Sequence, residues 1–141
     1  MRYYRFEDMQ PGLTESFSVT ITQDDQEMFE RLSKDVNRLH KEKEFAVERG
    51  FRDRVVYGML ASAFYSTLVG VYLPGENCLL NECKVSYHKP VYIGDCLKVE
   101  GTVADVREGT QRVKISGRMT NQNEEVVNSA VITVSFTKEQ L

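Results

Sequence analysis

A long stretch without charge constrains the fold of this chain more than any other feature of its sequence. From Val55 to Leu73, 19 successive residues carry no charged side chain, and a helix of that length could cross a bilayer. Tyrosines, serines and glycines interrupt the stretch, however. A helix that is apolar on all sides can also be enclosed by a single curved sheet. We therefore expect a buried helix in a globular protein and no membrane partner.

The sequence after this stretch predicts a β-sheet. Four segments alternate apolar with polar residues or are rich in β-branched residues: Leu80 to Tyr87, Cys96 to Val106, Arg112 to Thr120 and Val126 to Phe136. Turn-forming residues separate them, which predicts an antiparallel meander. An earlier segment, Thr14 to Ile21, has the same alternation and predicts a first strand.

Short helices are predicted between the first strand and the apolar stretch. Thr22 and Asp25 form a variant of the capping box, and apolar residues at helical spacing continue to about Leu32. Apolar residues shortly before Gly50 predict one or two further turns with a glycine stop. Residues 33–42 are polar and show neither the helical nor the strand periodicity, so they are predicted to form a loop.

The complete pattern predicts one α+β domain over residues 1–141. In this domain a curved antiparallel sheet wraps one long buried helix, the arrangement called a hot-dog fold. A small barrel is the alternative.

Charge and cysteine content exclude several classes of protein. The 18 Lys and Arg against 21 Asp and Glu give a net charge of -3, which argues against a nucleic-acid partner. Three cysteines and a start without an apolar secretion signal predict a cytoplasmic protein. Cys78, Cys83 and His88 could be imagined as metal ligands, but steps of five residues place successive members on opposite faces of a strand. We expect free core thiols and no metal.

The polar loop holds the candidate catalytic residues. Asp35 and His40 lie five residues apart, and His40 is one of only two histidines. On a helix they would point about 140° apart, so they can meet only if the chain turns between them; Asn37 is typical of such a turn. A carboxylate and an imidazole that share one water molecule can activate it without a metal. The alternative is a solvated loop in which Asp35 caps a turn.

The start of the apolar helix offers a second chemical group. The first N–H groups of a helix have no partner within it and lie at the positive end of its dipole. Gly58 has no Cβ, so a substrate oxygen could approach its N–H, where developing negative charge would be stabilised. The alternative role of Gly58 is close packing of the buried helix.

Several motifs resemble those of the (R)-specific enoyl-CoA hydratases and MaoC-like dehydratases. The family's loop reads Gly-Asp-x-Asn-Pro-x-His, and residues 34–40 here read Lys-Asp-Val-Asn-Arg-Leu-His. The family's long helix begins His-Gly-Met, and residues 57–59 here read Tyr-Gly-Met. The segments Tyr4 to Gly12 and Lys89 to Asp95 are also similar, so the resemblance spans most of the chain.

The resemblance implies an enzyme that adds water across the 2,3 double bond of an enoyl thioester, reversibly forming an (R)-3-hydroxyacyl product. Asp35 and His40 would hold the water, with Asp35 as general base. Gly58 and Ser66 would line the substrate site, although Ser66 is equally well a small residue that lets a strand approach. The resemblance implies a homodimer or higher homo-oligomer, and no cofactor beyond coenzyme A or an acyl carrier as part of the substrate.

Three residues depart from the family's motifs, since Lys34, Arg38 and Tyr57 replace its Gly, Pro and His. Arg38 could contact a phosphate of coenzyme A or remain a solvated surface residue. Asn37, Arg38 and Tyr57 are further candidates for substrate contact. The departures leave two alternatives open: a thioesterase with the same fold, which directs water to the thioester carbonyl, and a non-catalytic subunit that binds acyl thioesters.

Overall fold

The computed structural model describes residues 1–138, and within them the chain forms five strands and four α-helices. The strands are β1 (Thr14–Thr20), β2 (Cys78–Tyr87), β3 (Cys96–Arg107), β4 (Arg112–Thr120) and β5 (Val126–Phe136). The helices are α1 (Gln23–Ser33), α2 (Arg38–Lys41), α3 (Lys43–Glu48) and α4 (Gly58–Thr67). Helix α4 continues as a π-helical segment over Leu68–Tyr72, and a 3₁₀ turn covers Phe6–Asp8.

The strands form one antiparallel sheet in the order β1-β3-β4-β5-β2. The sheet is open, with β1 and β2 at its edges, and the predicted hot-dog fold is confirmed. The prediction of a continuous meander is wrong for β2, which pairs with β5 and not with β3. Residues 88–95, which include Pro90, make this connection too long for a tight hairpin, and it crosses to β3 instead.

Helix α4 and its π-helical extension fill the core on the inner face of the sheet. Tyr65, Leu68 and Val69 are at most 2% exposed. Gly117 and Gly101 allow this close packing, because a Cβ at Gly117 would lie 2.7 Å from the Tyr65 ring and one at Gly101 would lie 2.8 Å from Leu68. The two glycines therefore set the distance between helix and sheet.

The buried helix begins three residues later than the charge-free stretch. Val55 forms an isolated bridge with Tyr92, and the Val56 N–H donates to the carbonyl oxygen of Val91 at 2.8 Å. The prediction of a helix is therefore wrong for these first residues, and Gly58 is the first helical one. Within residues 1–138, no helix is both long and apolar enough to cross a membrane.

Candidate active site

The loop that carries Asp35 is shaped by the ends of two helices. After α1, Lys34 adopts the left-handed conformation, with φ 61° and ψ 19°, as in a common form of helix termination. Asn37 then caps α2, since its Oδ1 accepts a hydrogen bond from the Leu39 N–H at 3.0 Å. The prediction of a loop is therefore wrong for residues 38–41, because the periodicity does not reveal the cap that Asn37 supplies.

Asp35 lies exposed on this loop. Its carboxylate accepts a hydrogen bond from the Asn37 N–H at 3.0 Å, and its carbonyl oxygen accepts one from the Tyr57 hydroxyl at 2.5 Å. Burial, together with the carboxylates of Glu30 and Asp35, raises the pKa of Tyr57, so this hydroxyl remains protonated and able to donate. These two hydrogen bonds, with a third from the Asp35 N–H to Ser33 Oγ at 3.2 Å, hold Asp35 while the rest of its carboxylate faces solvent.

His40 is held from two sides. Its Nδ1 lies 2.7 Å from the carbonyl oxygen of Val55. Its ring stacks on that of Tyr57, with centroids 4.0 Å apart and planes inclined by 27°. Because a carbonyl oxygen can only accept, Nδ1 carries the hydrogen in the neutral imidazole. Nε2 then keeps its lone pair and can accept a hydrogen bond or a proton.

The buried side chain of Gln26 connects this loop with the start of α4. It is 2% exposed, and its Nε2 donates to the carbonyl oxygens of His40 and Val55, each at 3.2 Å. Its Oε1 accepts from the Tyr57 N–H at 3.4 Å. One amide thus satisfies three backbone groups that are otherwise costly to bury.

The first turn of α4 presents a donor beside an aromatic wall. Tyr57 provides no side-chain cap for the helix, and within residues 1–138 the Gly58 N–H has no hydrogen-bond acceptor. Tyr87 covers Gly58, because a Cβ there would lie 3.1 Å from Cε1 of the Tyr87 ring. The Tyr87 hydroxyl bonds to Ser62 Oγ, which donates to the carbonyl oxygen of Gly58 at 3.0 Å.

A cavity of about 290 Å³ joins His40 to Gly58. Most of its wall is apolar and includes Phe51, Val55, Val56, Ala61, Val91 and Val127. This volume lies at the lower end of the usual range for small-molecule sites. The cavity therefore combines an imidazole, a helix N-terminus and apolar space for a small organic group.

The cavity brings together only part of the predicted site. His40 and Gly58 line it, whereas Asp35, Asn37, Arg38, Tyr57 and Ser66 do not. Ser66 is exposed on α4, one turn beyond the Ser62 hydroxyl that bonds to Tyr87. Tyr57 is 2% exposed and lies behind His40 as seen from the cavity.

Arg38 is exposed but already paired within its own segment. Its guanidinium forms an ion pair with Glu42 at 2.8 Å and lies 4.5 Å above the ring centroid of Phe45. The hydrogen bond from Arg38 to the Glu42 carboxylate raises the pKa of Arg38 and lowers that of Glu42. The charge of Arg38 is thus largely balanced before any ligand is present.

Comparison with known proteins shows the family to which this chain belongs. A family model described as a MaoC like domain matches residues 8–138. The chain belongs to the MaoC-like domain family. An (R)-specific enoyl-CoA hydratase of Rhodospirillum rubrum is 34% identical over 98 residues, which are 70% of this chain and 68% of the relative. A 3-hydroxybutyryl-CoA dehydratase of Methylorubrum extorquens is 26% identical over 140 residues, which are 99% and 89% of the two chains.

Solved structures agree with this assignment of the MaoC-like domain. The (R)-hydratase from Aeromonas caviae involved in PHA biosynthesis superposes with a TM-score of 0.88 at 26% identity. The match covers 93% of this chain and 99% of that one. The predicted resemblance is therefore confirmed in sequence and in fold.

Three residues at or beside the cavity of this MaoC-like domain are not marked by the sequence pattern as part of the site. Gln26 holds the loop, Tyr87 covers Gly58, and His88 lines the cavity with its Nε2 2.8 Å from Ser129 Oγ. Their contacts join segments that are distant in sequence, so local periodicity does not mark them. One available signal is the helical spacing of Gln26 and Phe29, three residues apart, which places Gln26 on the inward face of α1.

The cysteines of the MaoC-like domain differ from the prediction of core thiols. Cys78 is half-buried, and burial raises the pKa of its thiol to about 11. Cys83 on the edge strand β2 and Cys96 at the first position of β3 are exposed, so the prediction is wrong for both. Among residues 1–138, no group of three or more His, Cys, Asp or Glu side chains is placed to hold a metal ion.

Proposed function

We propose that this MaoC-like protein is a hydratase and dehydratase that adds water across the 2,3 double bond of an enoyl thioester, converting enoyl-CoA reversibly to (R)-3-hydroxyacyl-CoA. The observation that carries the proposal is the cavity that joins His40, with a basic Nε2, to the unpaired N–H of Gly58. The names of the relatives, an (R)-specific enoyl-CoA hydratase and a 3-hydroxybutyryl-CoA dehydratase, support the same reaction class.

In the proposed complex the thioester carbonyl oxygen accepts a hydrogen bond from the Gly58 N–H. This N–H lies at the positive end of α4, and residues 1–138 offer it no acceptor. Attack of water at C3 moves negative charge onto the thioester oxygen, so a donor fixed at that point stabilises the transition state more than the ground state. The apolar wall then holds the acyl group beside His40.

The attacking water lies between His40 and Asp35 in this proposal. Nε2 of His40 accepts one hydrogen of the water, and the Asp35 carboxylate, as general base, accepts the other. The Asp35 carboxylate is turned toward the Asn37 N–H and does not line the cavity. Its proposed role therefore requires rotation of the side chain toward His40 in the complex, where catalytic hydrogen bonds commonly tighten.

The proton balance of hydration needs no external acid. The C3–O bond forms as Asp35 takes one proton from water, and the electron pair of the double bond moves toward C2 and the thioester oxygen. Asp35 then passes this proton to Nε2 of His40, which is unprotonated in the tautomer fixed by Val55, and His40 delivers it to C2. Dehydration follows the same steps in reverse. We propose no metal and no cofactor; coenzyme A or an acyl carrier enters as part of the substrate.

We also propose a cytoplasmic homodimer or higher homo-oligomer that forms through strand β2. One side of β2 has no partner strand within residues 1–138, and Leu79 and Leu80 on it are 48% and 52% exposed. Apolar side chains on a free strand edge favour pairing with a second copy. Light scattering should give at least twice the 16.2 kDa of one chain, and the mass of one chain would contradict this part of the proposal.

The reaction is tested with purified protein and crotonyl-CoA. We expect loss of the enoyl absorbance, no release of free thiol, and an (R)-3-hydroxy product by chiral chromatography. Free thiol without loss of the enoyl group would identify a thioesterase. Binding of the ester with neither reaction would identify a non-catalytic subunit, and either result would overturn the proposal.

Two variants test the proposed water-binding pair. Asp35→Asn and His40→Gln should each lower kcat by about 10³-fold, within the range for loss of a positioned acid or base. Asp24→Asn is the matched control, because Asp24 is an exposed carboxylate in the first turn of α1, away from the cavity. A large loss of stability in Asp35→Asn, or full activity in either site variant, would remove that residue from the mechanism.

A further inference from the structure

We propose that Tyr57 is a positioning residue, whose hydroxyl holds the backbone of Asp35 while its ring fixes the plane of His40. A single side chain would thus align both members of the water-binding pair. The inference rests on the proposed function of Asp35 and His40, and it adds a residue that acts without touching the substrate.

Burial separates Tyr57 from the substrate space. Its side chain is 2% exposed and does not line the cavity, whereas His40 does. The Tyr57 ring stacks on the imidazole at 4.0 Å. The contacts of the Tyr57 ring and hydroxyl that reach the substrate space therefore run through His40 and through the loop.

The Tyr57 hydroxyl provides the long-range hydrogen bond to the loop. Among residues 1–138, the other hydrogen bonds to residues 34–37 are local, such as those from the Asp35 N–H to Ser33 Oγ at 3.2 Å and from the Asn37 N–H to the Asp35 carboxylate at 3.0 Å. The bond from Tyr57 to the Asp35 carbonyl oxygen spans 22 positions in the sequence. It therefore ties the loop to the start of α4.

Tyr57 is itself held firmly enough to transmit this constraint. Gln26 accepts from its backbone N–H at 3.4 Å, and the ring of Phe29 packs against its ring with centroids 5.0 Å apart. The same Gln26 donates to the carbonyl oxygen of His40. The imidazole thus has Tyr57 on one face, and the hydrogen bond to Val55 fixes its rotation in that plane.

Kinetics of two variants test the inference. Tyr57→Phe keeps the stacked ring and removes only the bond to Asp35, and Tyr57→Leu removes both contacts. Small misplacements of catalytic groups can lower rates strongly, so we expect kcat to fall about tenfold in Tyr57→Phe and about 100-fold in Tyr57→Leu, with KM unchanged. Tyr4→Phe is the matched control, because it removes a partly buried hydroxyl that bonds to Glu15 at 2.9 Å, far along the chain from the loop.

The split between kcat and KM distinguishes positioning from other roles. A purely structural tyrosine would lower the melting temperature as Tyr4→Phe does and leave kcat of the folded enzyme unchanged. A residue that binds the substrate would raise KM. Either outcome would overturn the inference.

A second measurement keeps the inference testable if the proposed reaction fails. The chain has two histidines, so the ring signals of His40 can be followed by NMR with those of His88 as internal reference. Tyr57→Phe should retain the ring-current shift of His40 and speed amide exchange at Asn37, and Tyr57→Leu should lose both the shift and the protection. Unchanged signals and exchange would refute the positioning role, whereas an inactive wild type with these changes would refute only the reaction.

Discussion

Replacing Lys34 with glycine should stabilise the protein by about 0.5–1 kcal/mol. Lys34 follows α1 with φ 61° and ψ 19°, in the left-handed region, where a residue with a Cβ loses roughly 1–2 kcal/mol. Glycine avoids this cost. It also makes the unfolded chain more flexible, which cancels about 0.5–1 kcal/mol of the gain. The difference favours glycine, the residue that the family's loop motif has at this position.

Urea unfolding followed by circular dichroism measures this change as a higher midpoint at constant m. For a chain of this size the corresponding rise in Tm is about 2–4 °C. Lys34 is exposed, and its backbone already has the conformation that glycine favours. The geometry of Asp35 should therefore be preserved, and kcat with crotonyl-CoA should not change.

Two further glycine substitutions serve as controls for Lys34→Gly. Glu124 also has a positive φ, 61°, so Glu124→Gly should stabilise the protein in the same way. Arg31 is an exposed residue in the last turn of α1, where glycine should cost about 1 kcal/mol. A loss of stability in Lys34→Gly as large as that in Arg31→Gly would show that the left-handed conformation at Lys34 carries no strain, and a fall in kcat would show that its side chain acts in the reaction.

Three other predictions concern the cavity and its surroundings. Gly58→Ala should lower kcat by about 10²-fold, because the new Cβ would lie 3.1 Å from the Tyr87 ring and disturb access to the proposed oxyanion donor; an unchanged kcat in the crotonyl-CoA assay would place the thioester oxygen elsewhere. Arg38→Ala should leave KM for crotonyl-CoA unchanged, because its guanidinium is already paired with a neighbouring carboxylate; a higher KM would indicate contact with the coenzyme. Cys78 should react with iodoacetamide more slowly than the exposed Cys96 at about pH 8, because burial raises the pKa of Cys78 to about 11 and leaves little thiolate; mass spectrometry that found Cys78 modified first would contradict this.

The strands could be predicted because alternation of side chains is a local property. Both bounds of β4 (Arg112–Thr120) and β5 (Val126–Phe136) agree with the sequence pattern. The pairing of β2 with β5 could not be predicted in the same way, because it depends on contacts between segments distant in sequence, such as Val85 with Ala130, 45 positions apart. The order of strands in the sheet is thus a property of the whole core.

The candidate site could be predicted as residue types but not as contacts. The sequence indicates that Asp35 and His40 need a turn between them, and the left-handed Lys34 with the capping Asn37 provides it. The sequence does not reveal that Tyr57, predicted to contact the substrate, packs behind His40. That contact spans 17 positions and depends on where α4 begins.

The start of α4 decides whether the site can form at all. If the helix began at Val55, as the charge-free stretch predicts, the carbonyl oxygen of Val55 would accept from the N–H four residues later in the helix. In the extended conformation it instead accepts hydrogen bonds from the side chains of His40 and Gln26, at 2.7 and 3.2 Å. The same shift makes Gly58 the first residue of the helix and leaves its N–H unpaired. The late helix start therefore fixes the tautomer of the imidazole and exposes the proposed oxyanion donor together.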